Sequence, residues 1–287
     1  MRKGGGMERT ENAVKNGYLY EDFRLFHLKD NLGDEKEYHY HEFDKVVTFL
    51  SGNVSYIIEG ITYPLQPGDM LLIKSHTLHK ALIDTSLEYE RIIIYISPEF
   101  IDRNNTDGTN LMECFKRAEA GRFYLLRPGI ERWDSIKRIL LELERELGGA
   151  EYGSDISARI TMLRFLIQLN RCALAEETAL ASPPVYFDPK IAAVIAYINE
   201  NLDGELSVGE LASRCFISKY HFMRKFKEQT GYTVHSYILQ KRLLFASELI
   251  KSGSSSSEAA AGSGFKDYST FQRAFKKMFG INPGKMK

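Results

Sequence analysis

The chain has 287 residues, 44% of them apolar, and its 38 basic side chains balance its 38 acidic ones. This length suits two domains, and the apolar content is enough for a packed core in each. No run of about 18 apolar residues and no signal peptide is found, which argues against a membrane protein and leads us to expect a soluble, cytoplasmic one. The 3 cysteines are far apart and odd in number, which argues against a disulfide scaffold and against a cysteine zinc site.

The neutral total hides an uneven distribution of charge. From Asp188 onward there are 15 Lys and Arg against 9 Asp and Glu, a net charge of +6, whereas the preceding residues carry 23 against 29, a net charge of −6. Lysine and arginine side chains release condensed counterions when they contact phosphates. Only the C-terminal part is therefore expected to bind nucleic acid.

The first half of the chain has the pattern of short strands. Residues 1–13 are Gly-rich and polar, and we expect them to be a disordered start. From Tyr18 to Ser97, segments rich in Val, Ile, Tyr and Thr are separated by turn signals such as 51–53 and 67–69. Closely spaced strands without helical periodicity are typical of an antiparallel barrel or jelly roll, whose interior can hold a small ligand. The clearest strands are predicted at 46–50, 54–58, 70–74 and 90–96.

Three histidines are placed to meet inside this barrel. His39 and His41 are two residues apart, so the alternation of a strand puts both imidazoles on one face, and His79 follows one strand after the turn at 67–69. This layout resembles that of cupin domains, whose metal sites combine His-x-His, a carboxylate shortly after it and a later His. The resemblance is partial, because Asp44 stands where the carboxylate is usually Glu.

Two interpretations of these histidines remain open. As neutral imidazoles they would suit Zn, Fe or Ni, and as polar side chains they would line a ligand pocket or its mouth. We expect the second, with no metal and no other cofactor. Core packing explains the neighbouring aromatic residues as well as ligand contact does. The predicted effector-binding residues are His39, His41, His79, Phe49, Tyr56 and Tyr95, with Tyr38 as a further candidate.

After Pro98 the pattern becomes helical, with apolar residues at steps of three and four. The first apolar seam consists of Trp133, Ile136, Leu140, Leu143 and Leu147, and the second of Ile156, Ile160, Leu163 and Ile167. The seams could cover the barrel, pack on each other or join two chains. Spacing over two or three turns does not separate these alternatives.

A linker is predicted to divide the chain. Residues 177–187 contain Ser182-Pro183-Pro184, which cannot continue a helix. Asp188 and Pro189 then provide an N-cap and a proline at the first helical position. The predicted fold class is α+β with two domains. A cupin-like domain with antiparallel strands and helices covers 14–176, and an all-α tandem helix-turn-helix domain covers 188–287.

The helical domain contains one pattern twice. Phe-x-Arg-x-Phe-Lys occurs at 222–227 and again 49 residues later at 271–276. The two Phe of each copy are four residues apart and face a core, while the Arg between them points away from it. Each copy is therefore predicted to end in a helix with a basic outer face. A small helical bundle without a nucleic-acid partner is the structural alternative.

Capping residues place the starts of the helices. In the first copy Ser207 and Ser218 are predicted N-caps of two successive helices. In the second copy Ser256 or Ser257 is predicted to open the short helix, and Asp267 is the predicted N-cap of the next one. A continuous helix over 235–250, about 24 Å long, is predicted between the copies. Such a connector would hold the two outer helices about 34 Å apart, the spacing of successive major-groove segments on one side of a duplex.

Three segments resemble the AraC/XylS transcription regulators, namely Ile-Ser-Lys-Tyr-His-Phe-Met-Arg-Lys-Phe-Lys at 217–227, the stretch 264–276, and Gly-Ile-Asn-Pro at 280–283. The resemblance covers about the last hundred residues and is highly specific. It implies a DNA-binding regulator, most often an activator, gated by a small-molecule effector such as a sugar. It also implies a homodimer joined through the helical seams, with promoter DNA and RNA polymerase as partners.

The resemblance assigns roles to the two outer helices as well. Carried over by position, the base-reading residues are Tyr220, Met223, Arg224, Tyr268, Ser269, Thr270, Gln272 and Arg273. Arginine suits guanine, glutamine suits adenine, and threonine or methionine can contact a thymine methyl. Lys219 and Lys266 are predicted phosphate contacts, which position the protein on DNA without reading sequence.

Departures from the family pattern leave other functions to weigh. The second helix-turn-helix copy has low helix propensity, because it contains glycines at 253, 262 and 264 and several serines. We therefore predict that it is less stable than the first copy. We predict that the protein is not an enzyme. The competing hypotheses are a metal-binding cupin enzyme or metal sensor fused to a DNA-binding domain, and a regulator that responds to a protein partner and has a filled barrel.

Overall fold

The computed structural model describes residues 14–15, 17, 19–31, 39–121, 123–175 and 188–286. These residues fall into two compact units, one ending at residue 175 and the other beginning at residue 188. The predicted disordered start, Tyr38 and the linker at 177–187 lie outside the described residues.

The first unit is built from strands followed by helices. Its described strands are β1 (Val14–Lys15), β2 (Phe23–Asp30), β3 (His39–Tyr40), β4 (Asp44–Ser51), β5 (Val54–Ile58), β6 (Ile61–Pro64), β7 (Met70–Ile73), β8 (His79–Ile83), β9 (Tyr89–Ile96) and β10 (Leu125–Leu126). Its described helices are α1 (Pro98–Asn104), α2 (Glu113–Gly121), α3 (Ile130–Gly148) and α4 (Ser154–Leu174). The four strands predicted most clearly correspond to β4, β5, β7 and β9.

The strands form two five-stranded sheets, with the orders β1-β3-β8-β5-β6 and β10-β7-β4-β9-β2. The short β1 runs parallel to β3, and the other described pairs are antiparallel. The predicted antiparallel fold is confirmed. Among the described strands no pairing joins the two sheets, so they do not close into one barrel; double-sheet packing is the arrangement of a jelly roll.

A tight turn and a half-buried ion pair fix one end of the sheet that contains β4. Gly68 has a φ of +94° and packs its backbone against the Trp133 ring, where a Cβ would lie 3.4 Å from the nearest ring atom. The next residue, Asp69, accepts two hydrogen bonds of 2.7 Å from the Arg127 guanidinium. This bidentate pair holds the start of β7 against β10.

The helical seams are only partly where the sequence placed them. On α3 the predicted seam residues Ile136, Leu140 and Leu143 are buried, but Leu147 is 44% exposed. On α4 the interior face is formed by other residues: Ala158, Met162, Phe165, Leu166 and Leu169. The predicted α4 seam instead points outward, with Ile156 61% and Ile160 55% exposed. Among the described residues this seam is therefore not part of the core of the first unit, because α4 has two apolar faces and the sequence pattern marked the outer one.

The second unit contains only helices in its described residues. They are α5 (Pro189–Glu200), α6 (Val208–Arg214), α7 (Lys219–Thr230), α8 (Val234–Lys251), α9 (Ser256–Gly262) and α10 (Tyr268–Phe279), followed by a 3-10 turn at Pro283–Lys285. The predicted connector is α8, whose 18 residues span about 27 Å. The repeated phenylalanines, Phe222, Phe226, Phe271 and Phe275, are fully buried as predicted.

Capping explains where these helices begin. Asp188, Ser207, Ser218 and Asp267 accept hydrogen bonds from backbone N–H groups of the first helical turn, as predicted. The short helix predicted to open at Ser256 or Ser257 begins at Ser256, and its N-cap is Ser255. Ser255 and Glu258 form a reciprocal capping box there, which satisfies two backbone donors. Ser255 therefore starts α9 in spite of the low propensity of its neighbours.

Candidate nucleic-acid interface and interior site

The second compact unit, residues 188–286, contains two helix-turn-helix units. In the first, α6 leads to α7 through a turn in which Phe216 has a φ of +56°. In the other, α9 leads to α10 through a turn in which Gly264 has a φ of +81°. Phe216 and Gly264 lie 48 residues apart, whereas the caps Ser218 and Asp267 lie 49 apart, so the second turn is one residue longer. Bulky residues seldom adopt this backbone conformation, and Phe216 is 88% exposed.

The predicted DNA-contacting residues share one property, which is exposure. All ten are exposed: Lys219, Tyr220, Met223, Arg224, Lys266, Tyr268, Ser269, Thr270, Gln272 and Arg273. Tyr220 is 75% exposed, an unusual state for an aromatic ring that has no partner to cover it. Both α7 and α10 thus bury their phenylalanines and present polar, basic and aromatic groups outward.

The arginines on these faces are held only loosely. The Arg224 Nε lies 3.7 Å from Glu228 Oε1, one helical turn on, and both side chains are more than half exposed. Arg273 donates a hydrogen bond of 3.4 Å to the Ser269 carbonyl within α10. Exposed pairs of this kind contribute little to stability, so either guanidinium can exchange its partner for a base or a phosphate.

Lys225 and Arg242 have structural roles that the sequence did not reveal. Lys225, counted among the outer charges of α7, forms an ion pair with the N-cap Asp188, and this hydrogen bond lowers the Asp188 pKa. Arg242 of α8 donates to the Leu202 carbonyl at 2.8 Å and to the Gly204 carbonyl at 2.6 Å.

Arg242 and its loop also explain Gly264. A Cβ on Gly264 would lie 2.3 Å from the Leu202 carbonyl oxygen and 2.9 Å from the Arg242 guanidinium carbon. Lys266 of the same turn forms an ion pair with Glu205. Gly264 is therefore not a weak point of the second helix-turn-helix unit. Its lack of a side chain lets the turn between α9 and α10 pack onto the loop that precedes the first helix-turn-helix unit.

The interior of the first unit has one face of β4 as a wall. Side chains alternate along a strand, so Lys45 and Phe49 share a face and Asp44 lies on the other. Lys45 pairs across the sheet with Tyr95 of β9 and is only 1% exposed. No sequence signal marked this buried lysine, which comes directly before the strand predicted at 46–50.

The three histidines come together, as their spacing suggested. His39 of β3 and His79 of β8 are directly opposite in the sheet, and His41 follows β3. Their ring centroids are 4.4 Å apart for His39 and His79, and 5.0 Å apart for His41 and either of the others. All three side chains are buried.

The other predicted effector residues lie in two places. Tyr95 packs beside the histidines, with its ring 5.7 Å from His41 and 4.1 Å from Phe43. Phe49 is buried four residues, about 13 Å, along β4 from the Lys45–Tyr95 pair, and Tyr56 is buried two residues, about 7 Å, along β5 from the Ile58–His79 pair. Both approach Tyr89. The structure thus places a histidine cluster and an aromatic cluster in the interior.

Burial and a nearby charge set the protonation of His79. Burial lowers the pKa of His79 well below its usual value, and the nearby charge of Lys45 lowers it further. The Nδ1 atom of His79 donates to the Thr77 carbonyl at 2.9 Å, which leaves Nε2 as the atom with the lone pair. The ring is therefore neutral at physiological pH and offers an acceptor to the interior.

Asp44 does not join the histidines, so its assignment as the carboxylate of a cupin-like ligand set is wrong. It lies on the opposite face of β4, 1% exposed, where its Oδ1 accepts a hydrogen bond of 2.9 Å from the Ser75 N–H. Burial raises the pKa of Asp44 to about 7, and the carboxylates of Glu119 and Asp102 add to this while Lys74 opposes it. The orientation of β4 explains the error, since it is the next residue, Lys45, whose charge acts on His79.

The raised pKa predicts an unusual pH dependence of stability. The carboxyl has a pKa of about 7 in the folded state, against an ordinary value of 3.8, so folding favours its protonated form. The contribution of the Asp44 carboxyl to the free energy of unfolding is fully present below pH 3.8 and is lost as the pH rises through 7. We expect Asp44→Asn to raise the free energy of unfolding at pH 8 by about 1–2 kcal/mol, because part of the gain is offset by a buried amide. Urea unfolding at pH 5 and pH 8 would check this; a variant as destabilised at pH 8 as at pH 5 would contradict it.

In the described part of the chain no helix combines the length and the apolar character needed to cross a bilayer.

Two family models match the chain: an AraC-like ligand binding domain over residues 27–166 and a helix-turn-helix domain over residues 211–287.

Two transcription regulators resemble the chain over most of its length, and one solved structure resembles about a third of it. The probable transcriptional regulator LumQ of Photobacterium leiognathi is 26% identical over 255 residues, which cover 88% of this chain and 93% of that protein. The transcriptional activator RhaR of Pectobacterium atrosepticum is 24% identical over 246 residues, which cover 85% and 84%. A crystal structure of the DNA-binding domain of AdpA with a target DNA is 29% identical and covers 33% of this chain and 86% of that one, with a TM-score of 0.32.

Proposed function

Because the chain belongs to the AraC family of DNA-binding transcription regulators, we propose that α7 and α10 read promoter DNA and that a small molecule inside the first unit controls this binding. The observation that carries the proposal is the pair of recognition helices. Each buries two phenylalanines and exposes a basic, aromatic face of the size that enters a major groove.

The exposed side chains divide into readers and positioners of DNA. Arg224 and Arg273 are suited to guanine and Gln272 to adenine. The exposed aromatic and apolar residues Tyr220 and Met223 suit the methyl group of thymine. Ser269 and Thr270 of the first turn of α10, with Tyr268, supply further base contacts, and Lys219 and Lys266 contact phosphates.

The effector we propose is a small polyhydroxylated molecule such as a sugar. The interior offers rings for the flat faces of such a ligand and imidazole and phenol groups for its hydroxyls. The residues assigned to it are His39, His41, His79, Phe49, Tyr56 and Tyr95. A ligand that bridges the histidine and aromatic clusters would change the packing of the two sheets and so the output of the second unit.

The exposed face of α4 supports a homodimer. Ile156, Ile160 and Ile167 are 61%, 55% and 36% exposed and lie on one stripe with Leu163. Steps of four, three and four residues are those of a coiled-coil seam, so a second copy of α4 can cover the stripe. We call these four residues the α4 stripe.

The remaining assignments follow from the regulatory role. The relatives named as activators favour activation, with RNA polymerase as the partner at the promoter. Chromosomal DNA as the target and three buried free cysteines favour the cytoplasm. A regulator of this kind needs no catalytic step, so we propose that the protein is not an enzyme.

Binding to the DNA upstream of the protein's own gene tests the proposal. In a mobility-shift experiment with and without candidate sugars, we expect the wild type to bind and one sugar to alter its binding. Arg224→Ala should weaken binding by about 1–3 kcal/mol and relax the preference at one base pair. Lys251→Ala, which removes an exposed charge at the end of α8, is the matched control and should bind as wild type. Absence of DNA binding by the wild type at low salt would overturn the proposal.

A further inference from the structure

The histidine cluster has the geometry of a metal site rather than of a general pocket wall. His39, His41 and His79 each offer a ring nitrogen, and these three atoms lie within 4.8 Å of one another. A tetrahedral site with metal–nitrogen distances of about 2.0–2.1 Å brings its nitrogens to about 3.3 Å from each other. Metal binding would therefore require the three nitrogens to move closer together by up to about 1.5 Å.

The hydrogen bond of His79 aims a lone pair at the centre of the cluster. Its Nδ1 donates to the Thr77 carbonyl, as the outer nitrogen of a metal-binding histidine commonly does. Its Nε2 is buried and has no hydrogen-bond partner among the described residues. A buried acceptor left in this state costs about 1–3 kcal/mol. That atom therefore suits a metal ion or a hydrogen-bond donor, whereas an anion would face a lone pair.

We propose that His39, His41 and His79 bind one divalent transition-metal ion, such as Zn²⁺ or Ni²⁺, inside the first unit. Imidazole nitrogens favour ions of this class over Mg²⁺ and Ca²⁺, which prefer oxygen ligands. Three protein ligands leave at least one coordination position open. The site is independent of the DNA-reading role, and it gives the effector a point of attachment if that role holds.

The charges around the cluster decide which variant is most informative. Asp44 lies on the other face of β4, so the three-histidine group contains no carboxylate and the site keeps the full charge of the ion. The buried ammonium of Lys45 acts on the same cluster and opposes the ion. Removing it should therefore strengthen metal binding. An oxygen anion is the ligand that best completes such a positive site.

Metal binding by the full chain without a histidine tag tests the proposal. After treatment with a chelator, the protein would be titrated with Zn²⁺, Ni²⁺ and Co²⁺, and bound metal would be measured by mass spectrometry. We expect one ion per chain, intense visible absorption of the Co²⁺ form and a rise in Tm with Zn²⁺. His79→Ala and His41→Ala should each weaken binding by more than about tenfold. Lys45→Met should tighten it by about tenfold, equivalent to about 1.4 kcal/mol.

His76→Ala is the matched control, because His76 is also nearly buried in the first unit but is not part of the three-histidine group. It should bind metal as the wild type does. If His79→Ala does not fold, His79→Gln and the Lys45→Met gain in affinity still decide the matter. Substoichiometric metal in the wild type, or binding unchanged in both histidine variants, would overturn the site. DNA binding measured on the same preparations separates this failure from a failure of the regulatory role.

Discussion

An Ile160→Glu substitution should separate the protein into monomers and weaken its binding to a two-site promoter by about 10²–10³-fold. Ile160 lies in the middle of the α4 stripe and is 55% exposed, so the substitution leaves the core of the monomer intact. In a dimer the same carboxylate would be buried in an apolar contact without a partner, which is strongly unfavourable. Loss of the second copy removes the gain in affinity that two linked DNA-binding units provide.

Ile130→Glu is the matched control for this prediction. Ile130 is another exposed isoleucine of the first unit, 82% accessible, but it starts α3 and is not part of the α4 stripe. Sedimentation velocity would give the oligomeric state of both variants, and mobility shifts with one-site and two-site DNA would give the affinities. Ile160→Glu should lose affinity only for the two-site DNA. A dimer that persists in Ile160→Glu, or that is lost equally in Ile130→Glu, would place the contact elsewhere.

The α4 stripe also shows where sequence reasoning about this fold stops. The heptad-like spacing of Ile156 and Ile160 predicted a contact face, and the steps of that face are regular in the structure. What the pattern could not give was the partner, because Met162 and Phe165 on the opposite face form an equally apolar surface. A helix with two apolar faces has no single direction of burial, so only the packing of α4 against α3 shows which face turns inward.

Local sequence signals were sufficient to predict most of the helix starts and the buried phenylalanines of the second compact unit. Helix starts at Ser207, Ser218 and Asp267 depend on hydrogen bonds between residues two or three apart, which a sequence displays directly. The buried phenylalanines follow from spacing within a single helix. Arg242 and Gly264 could not be found in this way, because their roles depend on the Leu202 carbonyl, about 40 and 60 residues away along the chain.

In the interior of the first unit, some side-chain positions follow from local sequence signals and others depend on contacts that the sequence does not display. Alternation along one strand correctly brought His39 and His41 together, and the pairing with His79 required only one further strand. Lys45 and the outward position of Asp44 depend on which face of β4 turns inward. A shift of one residue exchanges the two faces of a strand, so parity in β4 had to be seen rather than counted from a neighbouring strand.

A Phe271→Ala substitution should unfold the second helix-turn-helix unit. Phe271 is fully buried, and its ring centroid lies 5.1 Å from that of Phe265, 5.2 Å from that of Phe275 and 5.7 Å from that of Tyr268. Removing a buried phenylalanine ring costs about 3–5 kcal/mol, since the contacts are lost and a cavity is left. The short α9 has only Ala259 and Ala260 as buried residues, so it has little other packing to hold it in place.

Hydrogen exchange can follow the loss of structure separately in the two helix-turn-helix units. Phe222→Ala, at the equivalent position of the first helix-turn-helix unit, is the comparison. In Phe271→Ala the amides of α9 and α10 should lose protection while those of α6 and α7 keep it. In the wild type, α9 should already exchange faster than α6, because a helix of alanine, serine and glycine buries less apolar surface than one that contains Leu211. Equal protection of the two units in the wild type, or simultaneous loss of both in Phe271→Ala, would show that Arg242 and the Gly264 turn join them into one cooperative structure. The contacts of Gly264 favour mechanical connection between the units, whereas the composition of α9 favours local opening, and this experiment measures which of the two dominates.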